Sequence, residues 1–205
     1  RLLKRWGFAT KGIFVMDGSR RSGHGNAYFT GFGRNKRIVF FDTLVASLDH
    51  DEMEAVLAHE LGHYKHRHVL KQLALGMIAT LLGLALLGWL AGQHWFYQAL
   101  GVTLPSNAAA LLLFLLVSPV FTQFLQPLHA LISRRHEFEA DNFAREQSGP
   151  EPLIRALVKL YRDNASTLTP DPLYSAFHDS HPPAPLRVAR LSCKTGTEPR
   201  STLAQ

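Results

Sequence analysis

The stretch AVLAHELGHYKHRHVLKQLALGMIATLLGLALLGWL, residues 55–90, joins two patterns that seldom occur together. Its first third places His59 and His63 four residues apart, on one face of a helix, so that both imidazoles can bind a single metal ion. Glu60 follows His59 directly, within reach of a water on that metal without being a ligand itself. The remainder, from Leu73 to Gly92, is 20 uncharged residues, about 30 Å as a helix and so the thickness of one hydrocarbon core. With no proline or turn cluster between them, the two parts read as one continuous helix that opens near Asp49, with Glu52 as its capping-box partner.

Working outward, the charge distribution divides the chain. None of the 38 charged residues falls between Gln72 and Ser133, although charged residues make up 19% of the 205. A second apolar segment, Ala108 to about Leu131, is long enough to span again, with a kink expected at Ser118-Pro119. The linker between the two segments carries Trp95, Phe96 and Tyr97, which suit a membrane interface. Lys65, Arg67 and Lys71 flank one end of this hairpin and Arg134 and Arg135 the other, so the positive-inside rule puts both ends in the cytoplasm. The fold expected is α+β and mainly helical, with a transmembrane helical hairpin at 72–133 inserted between the two parts of a protease domain, 1–71 and 134–192, and a mobile tail at 193–205. Strand-like runs at Gly12–Asp17, Asn26–Gly33 and Arg37–Val45 predict a small, mostly antiparallel sheet beside the HELGH helix.

Two histidines leave a zinc ion short of a third protein ligand. Glu137 and Asp141 in HEFEAD are spaced i, i+4 on one helical face, and Glu139 is turned roughly 200° from Glu137. A membrane hairpin returns its second end beside its first, which carries that face back to His59 and His63. Glu137 then completes a set for one Zn2+, and Asp141 accepts the free ring N–H of a ligating histidine. His136 is a rival ligand, while His66 and His68 read as interfacial residues outside the site. The net charge of +6 comes from small basic groups, several flanking the apolar block. This favours contact with anionic lipid over nucleic acid. The single cysteine, Cys193, excludes an internal disulfide and a multi-cysteine zinc site.

HELGH, SRRHEFEADNFA and HDSHPPAPLR, in this order with an apolar hairpin between the first two, resemble the CAAX prenyl endopeptidase family of integral-membrane zinc metalloproteases. The resemblance implies zinc on His59, His63 and Glu137, with Glu60 as general base in peptide hydrolysis. It implies that His181 and Arg187 point toward the scissile carbonyl; a tetrahedral oxyanion does need donors beyond zinc, and these two residue types supply them. It also makes Asn26 and Ala27, in NAYF, candidates to pair with the substrate backbone. The expected partners are a membrane-associated or lipidated peptide or protein, prenylated ones included, and the bilayer of a bacterial inner membrane or endoplasmic reticulum, with oligomeric state left open. A heat-shock-type quality-control protease of the membrane and a non-catalytic zinc-stabilised scaffold are the competing readings.

Overall fold

The computed structural model describes residues 10–20, 27–30, 36–163 and 170–193. Strand β3 (Lys36–Phe41) takes the centre of the sheet, with Ile38 and Phe40 almost fully buried. On one side it pairs antiparallel with β2 (Ala27–Thr30), and on the other parallel with β1 (Thr10–Met16). The sheet is therefore mixed, which corrects the expectation of a mostly antiparallel one. The link between β1 and β2 is long enough for β3 to insert between them, and a strand apolar on both faces gains most from the central place.

Helix α1 (Asp42–Ser47) turns the chain into α2 (His50–Lys65), which carries HELGH. The Asp49 N–H donates to Glu52 Oε2 at 2.9 Å, and Lys159 and Arg155 reach the same buried carboxylate. Helix α2 does not run on into the apolar segment. It ends at Lys65, Arg67 adopts a left-handed φ of 54°, and α3 (His68–Ala91) starts afresh. Arginine gives no advance sign of such a turn, so the sequence reads through it.

Helix α3 and helix α5 (Asn107–Thr122) form the hairpin, closed at its far end by the short α4 (His94–Ala99). Phe96 and Tyr97 are buried against Ala110 and Leu113, and Tyr97 donates to the Ala91 carbonyl; of the three linker aromatics only Trp95 is exposed. Helix α3 exposes leucines, Met77 and Trp89 along most of its surface, and α5 exposes leucines and Phe121; α3 and the continuous helical run Asn107–Ser148 are long and apolar enough to cross a membrane. Past Pro119 the second helix tightens into a 3₁₀ turn at Gln123–Leu125 before α6 (Gln126–Ser148) begins. Pro127 has no N–H for the Gln123 carbonyl, and the Gln126 N–H serves it instead.

Helix α6 packs along α2, and α7 (Pro150–Asp163), α8 (Pro172–His178) and α9 (Ala184–Ser192) close around them. One core combines Ile38, Leu44 and Leu61 from before the hairpin with Phe143, Leu153, Leu157 and Leu191 from after it. Helices α2 and α6 meet closely within HELGH itself. A Cβ on Gly62 would sit 2.9 Å from the Ala140 Cα and 3.1 Å from its carbonyl oxygen. Gly88, by contrast, has nothing within 4 Å of its would-be Cβ. Gly62→Ala is expected to force α2 and α6 apart and cost about 1–3 kcal/mol, while Gly88→Ala stays neutral or gains slightly from helix propensity. Thermal unfolding of both variants in detergent checks this, and equal midpoints would contradict it.

Candidate metal centre

The close crossing of α2 and α6 brings three side chains to one point. His59 and His63 turn their Nε2 atoms inward, 3.1 Å apart. The Glu137 carboxylate faces both, with Oε2 3.6 Å from His59 Nε2 and Oε1 3.4 Å from His63 Nε2. A tetrahedral ion with bonds of about 2.0–2.1 Å holds its ligand atoms roughly 3.3 Å apart. The three donors therefore have the spacing and the chemistry, two imidazoles and a carboxylate, that a zinc ion requires. His136 does not join them; it lies on another face of α6, buried and stacked on His68 at 4.1 Å.

Around this group the charges are dense. His59 Nδ1 lies 2.9 Å from Asp141 Oδ1, the arrangement in which a carboxylate fixes the tautomer and direction of a ligating ring. Arg187, only 7% exposed, forks onto Asp141 through Nε, at 2.8 Å, and Nη2, at 2.5 Å. Its Nη1 lies 3.4 Å from Glu137 Oε2. His181 enters from the segment before α9, exposed at its side chain but with Nδ1 3.0 Å from Glu137 Oε1. Tyr161 donates to the Pro182 carbonyl and steadies that segment. Burial raises the Glu60 carboxyl above its ordinary pKa, against the opposing pull of His59 and His63. The hydrogen bond to Glu137 raises the His181 imidazole, against burial. The carboxylates of Glu137 and Asp141 outnumber the one permanent cation they contact, Arg187, and the neighbouring Glu60 adds a third acidic group, a balance that suits a divalent ion.

Of the sequence-derived candidates, the structure gathers His59, Glu60, His63, Glu137, Asp141, His181 and Arg187 in this one place. Ala27 lies in β2, paired with Phe40, and Asn26 lies outside the described residues. His68 departs from its interfacial reading: it is 2% exposed and bonded to His63 and Glu139. The need for Gly62 has no signal in the sequence although it lies inside the motif, because it comes from Ala140 on another helix.

Residues 1–195 match the model of peptidase family M48. The chain is 39% identical over 211 residues to CAAX prenyl protease 1 of Saccharomyces cerevisiae, covering 93% of this chain and 46% of that protein. It is 41% identical over 185 residues to the CAAX prenyl protease 1 homolog of Dictyostelium discoideum, covering 88% and 43%. The crystal structure of S. mikatae Ste24p superposes with a TM-score of 0.83 at 37% identity, covering 94% of this chain and 48% of that one. The chain thus spans about half the length of these relatives.

The Arg187–Asp141 pair generates its own prediction. Arg187→Met leaves a buried carboxylate without its cation and is expected to cost roughly 3–5 kcal/mol of stability. Lysine, which cannot fork onto both oxygens, restores only part of it. Thermal unfolding of the metal-free chain measures the loss, and an unchanged midpoint would show that the pair does not brace the site.

Proposed function

The chain belongs to peptidase family M48, and from that premise we propose that it forms the catalytic half of a membrane-embedded zinc endopeptidase. The carrying observation is the convergence of His59 Nε2, His63 Nε2 and the Glu137 carboxylate at mutual distances suited to one tetrahedral ion. His59, His63 and Glu137 would hold zinc. When bound, zinc supplies Lewis acidity, which polarises a carbonyl and eases the loss of a proton from water. Glu60, with its proton affinity raised by burial, takes that proton as water attacks the peptide carbon and returns it to the leaving amine. His181 is exposed and free to swing from Glu137 to the carbonyl oxygen, where negative charge develops. Arg187 acts mainly through Asp141, whose grip on His59 it secures, and adds positive potential beside Glu137.

Strand β2 is the outer strand of the sheet on its side and touches α2. An extended peptide added along that edge, beside Ala27, would lie next to the metal centre. The names of the relatives, CAAX prenyl proteases, support prenylated CAAX proteins as the substrate class. The same names favour this reading over a quality-control protease. The exposed apolar faces of α3 and α5 fit a lipid-embedded hairpin. The basic residues at both of its ends support a metal centre on the cytoplasmic side.

Glu60→Gln is expected to keep zinc and lose at least two orders of magnitude in cleavage of a prenylated peptide, the usual scale for a general base. Glu137→Ala is expected to lose the metal. Peptide cleavage by the full-length protein, paired with metal analysis, tests both. Parental turnover by Glu60→Gln would remove the catalytic assignment, and full zinc occupancy in Glu137→Ala would move the third ligand elsewhere.

A further inference from the structure

His68 has no part in the three-residue group, yet it is among the most deeply buried polar side chains described. Its Nδ1 lies 3.0 Å from Nδ1 of His63, and its Nε2 lies 3.0 Å from Glu139 Oε2. The other oxygen of Glu139 accepts from Arg135 Nε at 3.2 Å. On the reading above, His63 offers its Nε2 lone pair to the ion, so its ring proton resides on Nδ1. That N–H donates to His68 Nδ1. The proton of His68 must then reside on Nε2, which donates to Glu139. One assignment satisfies the whole chain of contacts. We propose that His68 and Glu139 form a positioning relay that fixes the tautomer and direction of His63, as Asp141 does for His59.

The backbone supports this. Had α2 continued as a straight helix, His68 would be turned roughly 140° around the axis from His63 and could not reach its ring. Arg67, the one non-glycine residue with positive φ among those described, breaks the helix and brings His68 back. That conformation costs about 1–2 kcal/mol in an L-residue. His136 stacks on the His68 ring at 4.1 Å and 12°, which locks its plane. The first residue of the membrane helix α3 is thereby hydrogen-bonded into the metal centre.

His66, His68 and Glu139 also lie close enough to invite a second metal ion. Such an ion would take the Nε2 lone pair of His68 and move its proton to Nδ1. Two N–H groups would then face each other across 3.0 Å, so this cluster does not hold metal while the first site is filled.

The test uses the whole chain in detergent and rests on two readouts besides activity: zinc affinity by chelator competition, and the visible spectrum of the cobalt-loaded protein. His68→Leu and Glu139→Ala are expected to weaken zinc binding 10–100-fold and to alter the cobalt bands. His68→Asn keeps an acceptor where Nδ1 stood, and Glu139→Gln keeps an acceptor for His68. Both are expected to hold affinity and spectrum near those of the parent, with one ion per chain throughout. Parental affinity in His68→Leu and Glu139→Ala, or His68→Asn as weak as His68→Leu, would overturn the relay. Two ions per parent chain would do so too. A parent that binds no zinc would overturn the metal-centre reading and the relay with it. Glu139→Ala alters a part-exposed side chain, so it decides the matter even if His68→Leu fails to fold.

Discussion

Two helix backbones meet where a methyl group would not fit, and the rest of the site depends on that contact. Gly62 lets the backbone of α2 settle against Ala140 of α6. The residues on either side inherit the closeness: His59 and His63 flank Gly62, and Glu137 and Asp141 flank Ala140. A larger residue at position 62 would push the two backbones apart and draw the carboxylates away from the imidazoles. The small residue in the middle of HELGH is thus as much a part of the chemistry as the charged ones beside it.

The membrane hairpin makes this contact possible and is in turn tied to it. More than seventy residues separate His63 from Glu137, and closing so long a loop carries a considerable entropic cost. Two stiff helices joined by a packed aromatic turn lower that cost, because they return the chain to its starting level. The shared core of Leu44, Leu61, Phe143 and Leu157 then holds both ends of the hairpin. Electrostatics complete the design. Burial opposes the ionisation of Glu137 and Asp141, but hydrogen bonds and charges from His181, His63, His59 and Arg187 hold both carboxyls below their ordinary range, and the negative charge kept there favours a divalent cation.

Much of the site was legible in the sequence because its rules are local. Spacings of four residues on a helix assigned His59 to His63 and Glu137 to Asp141, and the uncharged block between Gln72 and Ser133 announced the hairpin that unites them. What escaped was set by contacts between distant segments. The parallel pairing of β1 with β3 follows from which strand is best buried, a competition that no single run of residues reveals. The break at Arg67 has no signal in an arginine, and it moves His68 from an interfacial position to a buried one. Phe96 and Tyr97 have the composition of interface anchors but serve as the plug of the hairpin turn. The need for glycine at position 62 is visible only from Ala140.

The central claim is that one ion is gripped by two imidazoles from before the hairpin and one carboxylate from after it. X-ray absorption at the zinc edge of the purified, metal-loaded chain tests this most directly. Two imidazole nitrogens and two oxygens at about 2.0–2.1 Å, with no sulfur, are the expected shell. A shell with three or more imidazoles, or one unchanged when Glu137 is replaced by alanine, would contradict the account.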